Sequence, residues 1–165
     1  MESIEKYRQA AANLGLGAFV MEFRELYLVK HAKRGVAPAR SFESAMGQDT
    51  TLTRKVAFDP QPDRAQAICI PKLVSGSLVL GRAVECDIVL RFPFVSKRHA
   101  CFETLSGGML TLADLGSSTC TYVNDVRLSR EHKEVIHTGD VLGFGGLRFE
   151  LCDAQRLYSV LRATS

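Results

Sequence analysis

From Ala67 onward the chain is built of short apolar runs separated by turn residues, and this texture constrains the fold more than any other feature. The runs are Ala67 to Ile70, Ser77 to Leu80, Asp87 to Leu90, His99 to Thr104, Met109 to Ala113, Thr121 to Val123, Val141 to Phe144 and Leu147 to Leu151. They are rich in Val, Ile and Leu, too short for helices, and punctuated by Gly, Ser and Asp roughly every eight to twelve residues. In the last run Leu147, Phe149 and Leu151 alternate with Arg148 and Glu150, the period of a half-buried strand. Gly107-Gly108 and Gly145-Gly146 suit two-residue hairpin turns. The expectation is a mainly β fold, an antiparallel sandwich.

The flanks read differently. Residues 3 to 14 predict a short helix, with Ser3 as its cap and Ile4, Tyr7, Ala11 and Leu14 at helical spacing. Ala18 to Arg24 suggests a further helical turn or two, and Leu26 to Lys30 a strand. Residues 31 to 66 are polar and carry Pro38, Pro60 and Pro62, the composition of a linker or long surface segment. Ala154 to Arg162 predicts a C-terminal helix with Leu157 and Leu161 on one face. The division expected is an N-terminal extension at 1–65 packed on the sandwich, the sandwich at 66–152, and a C-terminal helix at 153–165.

Composition narrows the function classes. A chain of 165 residues with 46% hydrophobic and 24% charged residues has room for one ordinary core with additions. A net charge of +3 is too small to argue for nucleic acid. The basic run Lys30, His31, Lys33, Arg34 and Arg40 lacks interleaved aromatics and reads as a solvated loop. The cysteines at 69, 86, 101, 120 and 152 form no Cys-x-x-Cys pair and read as small core residues in a reducing compartment. No metal site or cofactor is expected. The start is charged, and the most apolar early run, Leu14 to Val29, is broken by Glu22, Arg24 and Glu25. The expected location is the cytoplasm, without membrane contact.

The loops between the runs carry the chemistry. Gly81-Arg82 ends one strand, and Arg82 offers a fork that can hold two phosphate oxygens at once. Ser96 follows a turn at Pro93, with Lys97, Arg98 and His99 after it. Asp114-Leu115-Gly116-Ser117-Ser118-Thr119-Cys120-Thr121 supplies a hydroxyl cluster, and Gly139-Asp140 precedes the last hairpin. The glycines at 143, 145 and 146 precede a strand, with no following Lys-Ser/Thr, so a hairpin fits better than a phosphate loop. No nucleophile stands beside a base, so no catalysis is expected.

The order of these pieces resembles the forkhead-associated (FHA) family of phosphothreonine-binding modules, over roughly residues 66 to 152. The resemblance implies that Arg82, Ser96, Lys97, Ser118 and Thr119 hold a phosphopeptide. It also implies that His99 fixes the loops from inside. Lys97 stands where the family has arginine, and Thr119-Cys120 stands where it has Asn-Gly. Thr119 offers one hydroxyl in place of an amide, a loss on the order of 1 kcal/mol of peptide grip. Cys120 would resist a positive φ that glycine takes freely. The function implied is a phosphothreonine-peptide adaptor in Ser/Thr kinase signalling, with a kinase or its substrate as partner. The second function is a phospho-independent scaffold or dimerisation domain. The paired Thr50-Thr51 in the polar segment is similar to phosphorylated tail threonines of some bacterial FHA regulators, which fold back onto their own site. That likeness points to a bacterial source.

Overall fold

The structure is a computed structural model and describes residues 2–30, 66–70, 76–105, 109–130 and 132–163. Thr50, Thr51, the rest of the polar segment 31–65 and the Gly107-Gly108 turn lie outside the described residues. The chain opens with strand β1 (Glu2–Ser3) and helices α1 (Glu5–Asn13) and α2 (Leu16–Glu22), followed by β2 (Leu26–Lys30). The sandwich strands are β3 (Gln66–Ile70), β4 (Ser77–Gly81), β5 (Ile88–Val89), β6 (Ala100–Thr104), β7 (Leu110–Asp114), β8 (Thr121–Val123), β9 (Val126–Arg127), β10 (Lys133–Ile136), β11 (Val141–Phe144) and β12 (Leu147–Cys152). Helix α3 (Ala154–Ala163) closes the described chain.

Two sheets face each other. One has the order β1-β3-β2-β12-β11-β8-β9, the other β10-β7-β6-β4-β5. All strand pairs are antiparallel except β4 with β5, where the loop 82–87 carries the chain back to run parallel, Leu80 opposite Ile88. The core between the sheets includes Leu28, Leu80, Phe102, Leu112, Phe144 and Phe149. A second core lies between the larger sheet and the helices, with Tyr7, Phe19, Tyr27, Val29, Leu157 and Leu161. The molecule is therefore three layers: helices, sheet, sheet.

Three departures from the sequence reading follow from that third layer. The segment before residue 31 contributes an interior strand, where a packed-on extension was expected: β2 lies between β12 and β3. Its run Leu-Tyr-Leu-Val is apolar because both of its faces are covered, Leu28 by one core and Tyr27 and Val29 by the other. Strand β12 is buried on both sides as well, so Glu150, expected at the surface, is only 8% exposed and accepts a hydrogen bond from Arg156 Nε at 2.5 Å. Burial raises the Cys152 thiol to about 12, with the neighbouring Glu150 carboxylate adding to the effect. Ser3 belongs to β1, paired with Gln66, and the first helix begins at Glu5 with no side-chain cap.

The hairpin at Gly145-Gly146 forms as expected, with φ of 55° and 90° and Phe144 paired to Leu147. Asn124-Asp125 makes a second such turn, with φ of 49° and 68°. Asn and Asp tolerate that region better than other side chains do.

Candidate functional site

The connections β4–β5, β5–β6 and β7–β8 meet at one end of the sandwich, and backbone hydrogen bonds lock them together. Arg82 N–H donates to Ser96 O at 3.0 Å, and Ala83 N–H to Lys97 O at 3.2 Å. Cys86 Sγ also points at Lys97 O, at 3.1 Å. Gly81 is required here: a Cβ on it would sit 2.2 Å from Lys97 O, a backbone atom that has nowhere to go. The Gly-Arg pair thus works as a unit. The glycine permits close approach, and the arginine emerges beside Ser96.

The serine loops come together too. Ser118 N–H donates to Ser96 Oγ at 3.1 Å, and the two hydroxyl oxygens are 3.2 Å apart. Ser118 is exposed and Ser96 half-buried, so the pair stands at the surface. Arg82 and Lys97 are exposed, and among the described residues neither side chain makes an ion pair or hydrogen bond. Asp87, a conceivable partner for Arg82, instead accepts from Val79 N–H at 2.8 Å. The structure therefore gathers Arg82, Ser96, Lys97 and Ser118 on one rim. Arg98 is exposed as well.

Thr119 is placed differently from the other four. Its hydroxyl donates to Phe94 O at 2.8 Å, tying the β7–β8 connection to the β5–β6 connection. Its one hydrogen is spent inside the protein, so only lone pairs face a ligand. Cys120 takes a φ of 63°, the left-handed conformation glycine would adopt. The loop keeps its shape despite the Cβ, which overturns the expectation of resistance. The conformation costs about 1–2 kcal/mol for a residue bearing a side chain. A hydrogen bond on the Cys120 carbonyl helps to hold it.

That bond comes from His99, which is fully buried. Ser96 N–H donates to His99 Nδ1 at 3.1 Å, so Nδ1 carries the lone pair and Nε2 carries the hydrogen, donated to Cys120 O at 3.1 Å. One neutral imidazole thus bridges both serine loops. Burial lowers its pKa, against smaller upward pulls from the Cys120 carbonyl and Asp114. It is positioned as a fastener with no open face for a substrate.

Asp114 holds the other loop and was given no role by the sequence reading. Its Oδ1 accepts from Ser117 Oγ at 2.6 Å and Thr121 Oγ1 at 2.7 Å, and its Oδ2 from Gly116 N–H at 2.9 Å and Ser117 N–H at 3.0 Å. Burial alone would raise this carboxyl, but the four donors outweigh it and hold the pKa below the usual range. The signal was present in the Asp-x-Gly-Ser spacing, which is that of an aspartate accepting from backbone two and three residues on. Ser117, 5% exposed, and Thr121, fully buried, are thereby scaffold, leaving Ser118 as the outward hydroxyl of the cluster.

Gly139-Asp140 serves the opposite end of the strands. Asp140 Oδ2 accepts from His137 N–H at 2.7 Å and Oδ1 from Asn124 Nδ2 at 2.8 Å. Among the described residues no group of three His, Cys, Asp or Glu is arranged to hold a metal ion, and no helix is long and apolar enough to cross a membrane.

Residues 78–145 match the family model of the FHA domain, a span that holds every loop just described. A curated relative, the FHA domain-containing protein PS1 of Arabidopsis thaliana, is 34% identical over 70 residues. The match covers 42% of this chain and 5% of that protein, so the chain corresponds to a small part of its relative. The fold is also similar to the FHA domain of an Arabidopsis thaliana hypothetical protein solved in solution, at 25% identity and a TM-score of 0.49, over 57% of this chain and 77% of that one. A domain solved in a structural and functional analysis of phosphothreonine-dependent FHA domain interactions is 26% identical, with a TM-score of 0.44, over 57% and 88% of the two chains. The expected bacterial source draws no support from this curated relative, which is a plant protein. Across residues 78–145, this chain is similar to the FHA domain.

Proposed function

We propose that this protein is an adaptor that binds a phosphothreonine-containing segment of a partner protein and performs no reaction on it. The observation that carries the reading is the pair of surface hydroxyls, Ser96 and Ser118, 3.2 Å apart beside an arginine with no side-chain partner among the described residues. Two O–H donors at that separation suit two oxygens of one phosphoryl group. Arg82 and Lys97 oppose its charge of about −1.5 to −2. Charge-assisted hydrogen bonds of this kind are the strong ones, roughly twice a neutral pair. Thr119 contributes by shaping the loop and by its remaining lone pairs. The partner in this reading is a Ser/Thr kinase or one of its substrates in the cytoplasm. Recognition in this reading belongs to residues 66–152, with β2 completing the larger sheet and α1, α2 and α3 packed on its outer face.

Titration of a phosphothreonine peptide library against the wild type and Arg82→Ala tests this. Binding should be lost in the variant while its far-UV spectrum and melting stay those of the parent. Equal affinities would sink the reading. The second reading, a phospho-independent scaffold, is favoured by one observation: the Thr119 donor is already committed to Phe94 O. A partner that stays bound in excess phosphothreonine peptide, or on Arg82→Ala, belongs to that reading.

A further inference from the structure

We propose that the peptide site continues past the phosphate onto a second basic rim, Arg127 and Arg130, which takes a further anionic group two to four residues from the phosphothreonine. The proposal rests on the phosphopeptide reading above.

The topology brings these arginines to the site. The β7–β8 connection crosses from the smaller sheet to the larger, and the β9–β10 connection crosses back beside it. Leu128 N–H donates to Thr121 O at 2.9 Å, and Lys133 is paired with Ala113, next to Asp114 at the end of β7. Arg127 and Arg130 therefore flank the 115–121 loop on the side away from Arg82 and Lys97, with Ser118 between the two basic rims. Thr121 is three residues from Ser118, a reach of at most about 10 Å of chain. A peptide seated at Ser96 and Ser118 covers that distance in about three extended residues.

The charge pattern singles out the same two residues. Two neighbouring cations are internally paired, Lys133 with Glu103 at 2.5 Å and Arg148 with Asp125. Arg127 and Arg130 are exposed, and among the described residues neither makes an ion pair or hydrogen bond. The Asp114 carboxylate in the neighbouring loop is saturated by four donors, and Asp125 is taken by Arg148. Arg82 and Lys97 already match the charge of one phosphate, so two more arginines exceed what a singly phosphorylated, otherwise neutral peptide needs. They face a ligand segment that is itself acidic or phosphorylated a second time.

Fluorescence anisotropy with labelled peptides tests this. The set holds one phosphothreonine peptide with neutral flanks, versions with two aspartates placed two to four residues before or after the phosphothreonine, and versions with a second phosphothreonine in those places. Each is titrated at low and at physiological salt against the wild type and R127Q/R130Q. One anion-flanked series should bind wild type roughly fivefold tighter than the neutral peptide, more at low salt. R127Q/R130Q should lose that gain while binding the neutral peptide as the parent does. A gain from aspartates identifies a carboxylate as sufficient, and a gain confined to the second phosphothreonine identifies phosphate. No gain in any series, or a gain that survives in R127Q/R130Q, overturns the second rim and leaves the phosphate site standing. Failure of the neutral phosphopeptide to bind wild type overturns the site reading, and this proposal with it.

Discussion

Removing the Asp114 carboxylate should destabilise the domain far more than its surface position suggests. In Asp114→Ala, Ser117 Oγ and Thr121 Oγ1 lose an acceptor that they now meet at 2.6 and 2.7 Å. Ser117 is 5% exposed and Thr121 fully buried, so water cannot freely replace the carboxylate. Leaving a buried donor unmatched costs about 1–3 kcal/mol each. The Gly116 N–H is exposed and re-solvates cheaply. The expected loss is about 3–5 kcal/mol, against the roughly 5–15 kcal/mol that holds a domain of this size. Asp114→Asn keeps the shape but turns one acceptor into a donor, so about half that loss is expected. The chain has no tryptophan, so urea unfolding is best followed by far-UV circular dichroism. With a slope of about 1–3 kcal/mol per molar urea, the Asp114→Ala midpoint should fall by about 2 M. The pH dependence gives a second handle. The folded carboxyl has a lowered pKa, so its stabilisation is complete above the unfolded value of about 3.9 and is lost as pH falls through the folded value beneath it. The gap between the parent and Asp114→Asn should be constant above about pH 5 and should narrow only in stronger acid. A midpoint for Asp114→Ala within about 0.3 M of the parent, or a gap that widens in acid, would refute the reasoning.

The remaining predictions concern the other loop fasteners. Burial lowers the His99 pKa, so between that lowered value and about 6.5 the unfolded chain binds more protons than the folded one. The His99 contribution is therefore full above about pH 6.5 and declines as pH drops below it. His99→Gln should melt lower at pH 7.5 and lose less on going to pH 5.5; identical pH dependence in both proteins counts against the neutral fastener. Cys120→Gly relieves about 1–2 kcal/mol of left-handed strain and adds back about 0.5–1 kcal/mol of unfolded-state entropy. Its urea midpoint should hold or rise slightly, and a loss above about 1 kcal/mol would show that the thiol packing outweighs the strain.

How much of this could be read from the chain depends on whether the cause was local. The Gly145-Gly146 turn and the alternation Leu147, Phe149, Leu151 are local, and both formed as expected. Strand β2 was recognisable as a strand, but its place between β12 and β3 is a pairing across a long stretch of sequence, which no local pattern announces. The burial of Glu150 has the same origin, because only the docking of α3 supplies Arg156 over it. Strands β9 and β10 escaped notice because β9 is two residues long and β10 reads Lys-Glu-Val-Ile, with little alternation. In the site, Arg82, Ser96 and Ser118 were legible as an inventory. Residue type alone does not sort the hydroxyls, since Ser117, Ser118, Thr119 and Thr121 are chemically near-equivalent in a string, and only the family resemblance pointed to Ser118 and Thr119. Burial and partner choice make the first, third and fourth into scaffold and leave Ser118 facing out.

The direction of the hydrogen bonds explains why such a junction suits an anion. At each tie between loops a donor meets an acceptor: Ser96 N–H to His99 Nδ1, His99 Nε2–H to Cys120 O, Ser118 N–H to Ser96 Oγ, and Thr119 O–H to Phe94 O. Because Ser96 Oγ already accepts from Ser118, its own hydrogen is free to point outward. What remains at the surface, among the described residues, is the Ser96–Ser118 hydroxyl pair and the cationic donors of Arg82 and Lys97. Most of the backbone acceptors at the junction are consumed inside the fold, while the charged donors are left over. A ligand that matches must bring acceptors and negative charge, and a phosphoryl group brings three acceptor oxygens and no obligatory donor near neutral pH. The same imbalance disfavours a lysine or arginine side chain at this spot, since either would bring further positive charge and donors beside Arg82 and Lys97.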